Sequence, residues 1–207
     1  KIGTPRAPWQ LIHNGLRAHE FDPVKNTADA VDFLYIGMMR DLKGPDVFIE
    51  AIRRAEQLAG KPLHGIMVGD GDDKPRYQAR LDAIGMGDRV KMRDAMPARE
   101  AFALARTVVI PSRAESMPYI VLEAVAAGKP VISTRVGGIP EILGSEFAGF
   151  VPPGDSEALA AAMAHTVSDP TWLSGAMPEM TAFRDNFSAQ TMAAKMASLY
   201  QDHLSAR

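Results

Sequence analysis

The feature that most constrains the fold is an alternation between short apolar runs and segments with helical spacing. Val31 to Ile36 is an apolar run that ends at a glycine, and Asp46 to Leu58 then places apolar residues at helical intervals. The same alternation continues to residue 143. The later strands are predicted at Leu63–Val68, Val90–Met92, Val108–Ile110 and Val131–Ser133, and the later helices at Tyr77–Ile84, Ala98–Ala105, Pro118–Ala127 and Pro140–Leu143.

Strands this short and this apolar are typical of a parallel sheet that is covered on both faces. The helices between them predict right-handed crossovers, and therefore a doubly wound, Rossmann-like α/β fold. After Val151 the pattern is helical, and helices over Ser156–Val167 and Ala189–Leu204 are predicted to pack on the sheet as a helical tail. Residues 1–30 are rich in turn-forming residues and lack apolar periodicity, so we interpret them as a linker that enters a domain of residues 31–207.

Composition excludes several partners and chemistries. The formal net charge is -2, so the chain has no general electrostatic attraction to nucleic acid or to an anionic membrane. It contains no cysteine, which excludes disulfide scaffolds, thiolate metal sites and cysteine nucleophiles. Its 5 histidines lack the spacing of metal ligands, and charged residues interrupt its most apolar stretch. The sequence begins with Lys1 and not with methionine, so we expect a fragment or a processed product.

In a doubly wound sheet, ligands bind beyond the carboxyl ends of the strands, so the loops at those ends are the candidate sites. The first such loop, Gly37–Gly44, presents Arg40 and Lys43 just before a predicted helix. Arginine offers a planar fork to phosphate oxygens, lysine offers a mobile charge, and the free N–H groups of the helix add positive potential. The loop suits a diphosphate. Taken alone, however, the loop favours the simpler alternative of two solvated surface cations beside a glycine turn.

The loop at residues 69–73, after the second predicted strand, has the sequence Gly-Asp-Gly-Asp-Asp. Its glycines permit close backbone approach, but three aspartates make a poor cradle for phosphate. Lys74 also stands where a dinucleotide-binding GxGxxG motif requires glycine. A calcium or magnesium site is the alternative, yet the downstream glutamate of an EF-hand is absent. We interpret this loop as a plain turn.

The segment at residues 111–124 gives the strongest indication of a binding site. Ser116 is a predicted N-cap, and the helix is predicted to begin near Met117. Glu115 then lies in the loop, while Glu123 lies about 9 Å further along the helix at ~1.5 Å per residue. Two carboxylates on either side of an anion-binding helix end match a nucleotide sugar, which has hydroxyl groups at both ends of a diphosphate. The alternative is a solvated loop glutamate and a glutamate on the helix surface.

A set of motifs occurs in a fixed order along the chain. They are Lys43-Gly44, Gly69-Asp70-Gly71, Pro111-Ser112, Glu115 with Glu123, Ala127-Gly128-Lys129-Pro130-Val131 and Gly137-Gly138-Ile139-Pro140-Glu141. Together they resemble the C-terminal, donor-binding domain of a family 4 retaining glycosyltransferase, whose two-domain fold is called GT-B. The resemblance runs from Asn14 to the end of the chain. It implies that residues 1–30 form the interdomain linker and that an N-terminal acceptor domain is absent from this chain.

The resemblance implies a role for each residue that matches a family motif. Arg40 and Lys43 would hold the donor diphosphate and stabilise charge on the leaving nucleotide, although the family's arginine directly after the first glycine is Met38 here. Glu115 would contact hydroxyl groups of the transferred sugar, and Glu123 those of the ribose. Further donor contacts are implied at Gly37, at the base-contacting residues Met92 and Arg93, at Ser116 and Met117, and at the backbone amides of Tyr119 and Ile120.

The resulting prediction is a retaining glycosyltransferase that moves a hexosyl unit from a nucleoside-diphosphate sugar to a glycan or lipid-linked acceptor. No cofactor or metal is expected, because basic side chains and helix amides neutralise the leaving group. The isolated domain is expected to bind donor without catalysis, in the cytoplasm, with at most peripheral membrane contact. Two alternatives stay open: a GT-B nucleotide-sugar epimerase and a non-catalytic nucleotide-binding module. UDP and GDP donors, and the different hexoses, are not distinguished.

Overall fold

The structure is a computed structural model that describes residues 10–205. Within that range, the chain folds into one parallel sheet in the order β3-β2-β1-β4-β5-β6. The strands are β1 Val31–Ile36, β2 Gly65–Val68, β3 Val90–Arg93, β4 Ala105–Ile110, β5 Val131–Thr134 and β6 Phe150–Val151. The helices are α1 Pro45–Ala59, α2 Lys74–Ala83, α3 Ala98–Ala103, α4 Tyr119–Ala126, α5 Ile139–Leu143, α6 Ser156–Ser168, α7 Thr171–Ala176, α8 Met180–Phe187 and α9 Ala189–Ser205. The predicted Rossmann-like fold with a helical tail is confirmed.

Helices cover both faces of the sheet. The strand order grows in opposite directions from β1 and β4, and right-handed crossovers therefore place α1 and α4 on opposite faces. On one face α1 packs against α2 and α6, and on the other α4 packs against α3 and α8. The central strands are consequently buried on both sides: Phe33, Leu34 and Tyr35 are successive residues of β1, and each is at most 1% exposed. No helix within residues 10–205 has both the length and the apolar character needed to cross a bilayer.

Two predicted boundaries are wrong for identifiable reasons. Ala105 was assigned to the end of a helix but begins β4, where it pairs with Val31 and is fully buried. The helix predicted to begin near Met117 under a Ser116 cap begins instead at Tyr119, with Pro118 as an N-cap that makes no side-chain hydrogen bond. Proline disfavours helical geometry in the residue before it, so Met117 stays outside the helix.

The segment predicted as a linker is attached to the domain over its described part. Leu16 is buried and forms a parallel bridge with Ser188, just before α9. Further along, the amide of Thr27 donates to the carbonyl of Ala103 at 2.8 Å. The buried Lys129 donates to Asn26 and to the carbonyl of Ala105, and burial lowers its pKa to about 8. The boundary at residue 30 stays a prediction, while residues 16–27 contact α4 and the ends of α3 and α8.

Candidate functional site

The candidate site lies at the carboxyl ends of β1 and β4, where the strand order reverses. In an open α/β sheet the two loops at this point diverge to opposite faces and leave a crevice between them. Here the loops are residues 37–44, between β1 and α1, and residues 111–118, between β4 and α4. The topology therefore brings together the two loops that the sequence singles out most strongly.

Close backbone contacts hold the loop at residues 37–44. A Cβ atom added at Gly69 would lie 1.9 Å from the carbonyl oxygen of Gly37, and one added at Gly44 would lie 2.2 Å from the carbonyl oxygen of Pro111. Both glycines also have positive φ values, of 147° and 71°. The amide of Met39 donates to the carbonyl of Asp70 at 2.9 Å. The Gly-Asp-Gly turn therefore acts as a support for this loop.

Lys43 and Glu115 meet across the crevice. The Nζ of Lys43 donates to both carboxylate oxygens of Glu115, at 2.6 and 2.7 Å. The hydroxyl of Ser112 donates to Oε1 of the same carboxylate at 2.7 Å. The side chains of Lys43 and Glu115 are only 21% and 8% exposed. Two residues that lie 72 positions apart in the chain thus form one partly buried charged pair.

A cavity of about 130 Å³ adjoins this pair. Of the residues predicted to contact the donor, Gly37, Lys43, Glu115 and Ile120 line this cavity. The remaining lining residues are Tyr35, Ile36, Ile110, Pro111 and Ser112. The cavity is therefore apolar on the strand side and charged where the two loops approach each other.

Arg40 is exposed on the first loop. It lies between Gly37 and Lys43 in the sequence, and both of these line the cavity, but Arg40 does not. Its guanidinium makes no hydrogen bond to any group in the described part of the chain. Met38 is also exposed, and its carbonyl accepts a hydrogen bond of 2.8 Å from the Tyr35 hydroxyl. The phosphate role of Arg40 stays a prediction, with the side chain free to turn toward a ligand.

The start of α4 faces the crevice. The amides of Tyr119 and Ile120 belong to the first turn of the helix, which leaves them without intrahelical acceptors. Ser116 and Met117 precede them in the loop, and the carbonyl of Ser116 accepts from the amide of Gly138 at 2.5 Å. This contact packs the loop against the start of α5.

Glu123 lies one turn further along α4, away from the cavity lining. Its side chain is half-buried and makes no hydrogen bond within residues 10–205. Burial, and then the nearby carboxylate of Glu20, raise the pKa of Glu123 above its ordinary value. A half-buried carboxylate without donors is suited to accept hydrogen bonds from a ligand, since the described residues supply none.

Met92 and Arg93 lie at the same edge of the sheet as the cavity but at the end of β3. Since β2 separates β3 from β1, the two sites are two strand spacings apart, about 10 Å. Met92 borders an open cleft of about 550 Å³, whereas Arg93 is exposed and does not line it. At this cleft Lys74 pairs with Asp70 and Asp94, at 3.0 and 2.5 Å.

The chain is similar in sequence to known proteins. A model of the family described as glycosyl transferases group 1 matches residues 30–169. The chain belongs to this family. It is 29% identical over 217 aligned positions to a D-inositol 3-phosphate glycosyltransferase of Streptomyces avermitilis, an alignment that covers 94% of this chain and 47% of the relative. It is 30% identical to the putative colanic acid biosynthesis glycosyltransferase WcaL of Escherichia coli, covering 79% of this chain and 43% of the relative.

Solved structures of glycosyltransferases share the fold. A sucrose-phosphate synthase of Thermosynechococcus elongatus matches with a TM-score of 0.79 and 26% identity, over 96% of this chain and 53% of that one. Anabaena HepE in complex with UDP matches with a TM-score of 0.78 and 20% identity, over 93% of this chain and 57% of that one. The chain spans about half the length of the curated relatives that it matches. It therefore corresponds to one half of these longer glycosyltransferases.

Sequence reasoning about this group 1 domain missed three residues that support the site. Ser112 holds the Glu115 carboxylate, and its own carbonyl accepts from the Thr134 hydroxyl at 2.6 Å. Arg113 pairs with Asp46, at the start of α1, at 2.6 Å. The Pro111-Ser112 motif signalled the first of these residues, but nothing in the sequence connects positions 46 and 113. The aspartates at residues 70–73 form no metal-binding group: within residues 10–205, no cluster of three potential ligands occurs.

Proposed function

We propose that this chain is the donor-binding part of a retaining glycosyltransferase that transfers a hexosyl unit from a nucleoside-diphosphate sugar to a glycan or lipid-linked acceptor. The observation that carries the proposal is the Lys43–Glu115 pair, which joins a cation and a carboxylate beside a cavity at the switch point of the sheet. Relatives named as glycosyltransferases support it, as do the HepE structures, which hold UDP and UDP-glucose. The acceptor would bind to the half of the enzyme that this chain does not span.

Donor binding would divide the Lys43–Glu115 pair between two parts of one ligand. Lys43, the amides of Tyr119 and Ile120, and a reoriented Arg40 would take the diphosphate oxygens. Glu115 would then accept hydrogen bonds from the sugar hydroxyls, while Ser112 continues to orient it. The cavity of about 130 Å³ is smaller than a typical cofactor pocket, so it would receive only the junction of sugar and phosphate.

The nucleoside would extend away from this junction along the carboxyl edge of the sheet. The ribose hydroxyls would satisfy Glu123, whose half-buried carboxylate has no donor among the described residues. The base would lie toward Met92 and Arg93, about 10 Å from the pair and beside the open cleft at β3. Ser116, Met117 and Gly37 would contribute backbone contacts along the same path.

The proposed chemistry relies on electrostatic stabilisation by the chain itself. As the bond between the sugar and the nucleoside diphosphate breaks, negative charge grows on the leaving phosphate. Lys43, a reoriented Arg40 and the first amides of α4 would oppose that charge, so the reaction would require no metal or cofactor. The enzyme would work in the cytoplasm, with any membrane contact peripheral and made by its other half.

Ligand-induced thermal stabilisation tests the proposal. A nucleoside diphosphate at 100 times its Kd stabilises a protein by ~2.7 kcal/mol, which raises the Tm by about 5 to 10 °C for a domain of this size. The chain is melted with UDP, GDP, ADP and NAD, each without added metal. We expect one nucleoside diphosphate to raise the Tm of the wild type.

The matched variants are Lys43→Ala at the site and Lys61→Ala, an exposed lysine at the opposite edge of the sheet. Lys43→Ala is expected to weaken binding by about 1.5 to 3 kcal/mol, the range for a hydrogen bond to a charged group, while Lys61→Ala has no effect. If none of the diphosphates raises the Tm of a folded wild type, the proposal is wrong. If the nucleoside diphosphate raises the Tm of the two variants equally, Lys43 does not contact the ligand.

A further inference from the structure

Arg113 connects the two loops that form the candidate site. Its backbone amide donates to the carbonyl of Leu42 at 2.8 Å. Its guanidinium donates to the carbonyl of Asp41 at 2.5 Å, and to the two carboxylate oxygens of Asp46 at 2.8 and 2.6 Å. One residue of the loop at residues 111–118 therefore binds the chain on both sides of Lys43 in sequence, at positions 41, 42 and 46.

The pairing between Arg113 and Asp46 has the geometry of a strong, directional contact. It is a parallel fork in which two N–H groups meet two carboxylate oxygens, and the side chains are only 35% and 21% exposed. Burial alone would raise the pKa of Asp46, but the hydrogen bonds and the charge of Arg113 outweigh it and lower that pKa. The pair therefore stays charged at neutral pH, and the contact between the loops persists.

The contacts of Arg113 fix the relative positions of Lys43 and Glu115. Lys43 directly follows the two residues whose carbonyls Arg113 binds. Ser112, the neighbour of Arg113 on the other side, holds the Glu115 carboxylate. A shift of Arg113 would therefore change the separation of the cation and the carboxylate across the crevice.

Arg76 provides a natural comparison. It also contacts the turn at Asp41, donating to the carboxylate at 2.5 Å, but its other partners are Asp73 and Tyr77 in and beside α2. Arg76 thus binds the first loop from outside and does not reach the loop that carries Glu115. Removing it subtracts a similar charge near Lys43 without releasing the connection between the loops.

We propose that Arg113 is a positioning residue for donor binding, which holds Lys43 at the correct distance from Glu115 to receive a diphosphate. The inference rests on the proposed function, since it concerns the same site. It assigns Arg113 no contact with the donor. Its effect on affinity therefore passes through Lys43, and this dependence can be measured.

A double-mutant cycle tests the dependence. The Kd of the stabilising nucleoside diphosphate among UDP, GDP and ADP is measured by calorimetry, well below the Tm, for wild type, Arg113→Ala, Lys43→Ala and the double variant. We expect Arg113→Ala to raise the Kd about fivefold to tenfold in the wild-type background and less than about twofold once Lys43 is absent. Arg76→Ala is expected to leave the Kd within about twofold of the wild type. A purely structural arginine would lower the Tm without changing the Kd.

Each outcome separates the inference from the proposed function. An unchanged Kd in folded Arg113→Ala, or an equal change in both backgrounds, overturns the positioning role while the wild type still binds. A wild type that binds none of the three diphosphates overturns the proposed function, and the positioning role with it. If Arg113→Ala does not fold, Asp46→Asn takes its place: it weakens the fork, and we expect the Kd to rise about twofold to threefold. An unchanged Kd in Asp46→Asn overturns the positioning role.

Discussion

The two edges of the sheet differ in how their cavities are built. At the carboxyl edge, a cavity of about 130 Å³ lies beside an ion pair with a shortest distance of 2.6 Å. At the amino edge, a larger cavity of about 350 Å³ lies beside the pair of Arg106 with Asp32, which are 3.3 Å apart with the arginine side chain 59% exposed. Between these two cavities, size alone would select the one at the amino edge. The carboxyl edge is distinguished by loops whose backbones approach each other so closely, at Gly44 and Gly69, that no side chain fits between them.

The largest expected effect comes from breaking that backbone contact. Gly69→Ala would place a methyl group 1.9 Å from the carbonyl oxygen of Gly37, at a φ of 147° that suits glycine alone. We expect a loss of about 3 kcal/mol or more in the free energy of unfolding, measured by urea denaturation.

The matched control is Gly60→Ala, at the end of α1 that lies toward the amino edge. Its φ is also positive, at 65°, but apart from its own neighbours in the chain no atom of the described residues lies within 4 Å of the added Cβ. We expect a loss of only about 1 kcal/mol, the conformational cost alone. Equal losses in the two variants would show that the close approach of Gly69 to the first loop contributes nothing.

A smaller effect is expected from breaking the ion pair at each edge. Glu115→Ala leaves Lys43 partly buried without its carboxylate and removes the acceptor of the Ser112 hydroxyl. We expect it to cost about 2 kcal/mol of stability, below the range for a fully buried pair. Arg106→Ala breaks an exposed pair and is expected to cost at most about 0.5 kcal/mol. Urea denaturation of both variants at two salt concentrations measures these losses. A larger loss in the free energy of unfolding for Arg106→Ala than for Glu115→Ala would contradict the ranking.

The smallest effect concerns Glu123, and its sign is opposite. The pKa of the Glu123 carboxyl is raised in the folded state, so its ionisation opposes folding. The free energy of unfolding therefore falls as the pH rises from the ordinary pKa of a glutamate through the folded-state pKa of Glu123. Above the folded-state pKa this contribution is constant. Glu123→Gln is therefore expected to stabilise the chain at pH 7, by about 0.5 kcal/mol, and to have no such effect near pH 4.

The same variant should weaken ligand binding while it stabilises the fold. If Glu123 accepts from the ribose, Glu123→Gln will weaken binding of the ribonucleotide more than binding of its deoxyribose analogue, in the same calorimetric assay. Equal weakening of the two ligands would remove the ribose role. A destabilised variant at pH 7 would contradict the assignment of Glu123 as an uncompensated carboxylate.

The alternation of apolar runs and helices was sufficient to predict the fold. A strand that is buried on both faces must be apolar at nearly every position, so short apolar runs between helices indicate a parallel sheet. Boundaries were less predictable where one residue fits two elements. Ala105 suits a helix by propensity, and only its pairing with Val31 places it in β4. The start of α4 depended on a local effect, the restraint that Pro118 imposes on Met117, and the preference of serine for N-caps was the weaker signal.

The site was predictable as a set of loops but not as a set of contacts. Gly37, Lys43, Glu115 and Ile120 could be placed at one crevice because parallel strands bring their carboxyl ends together. The pairing of Arg113 with Asp46 joins residues 67 positions apart, and no local pattern encodes it. The Gly-Asp-Gly turn was interpreted as a plain turn, and its close approach to Gly37 is visible only in three dimensions.

The bridge between Leu16 and Ser188 has a consequence for the connectivity of the domain. The amide of Leu16 donates to the carbonyl of Phe187 at 2.7 Å, and the amide of Ala189 donates back to the carbonyl of Leu16 at 2.7 Å. The segments that enter and leave the sheet are therefore joined side by side, and the chain between them forms a closed circuit. We expect such a circuit to tolerate circular permutation: a short link from Ser188 to Leu16, which leaves out α9, with new termini in the exposed loop at residues 144–146, would keep the pairings of β1 to β6.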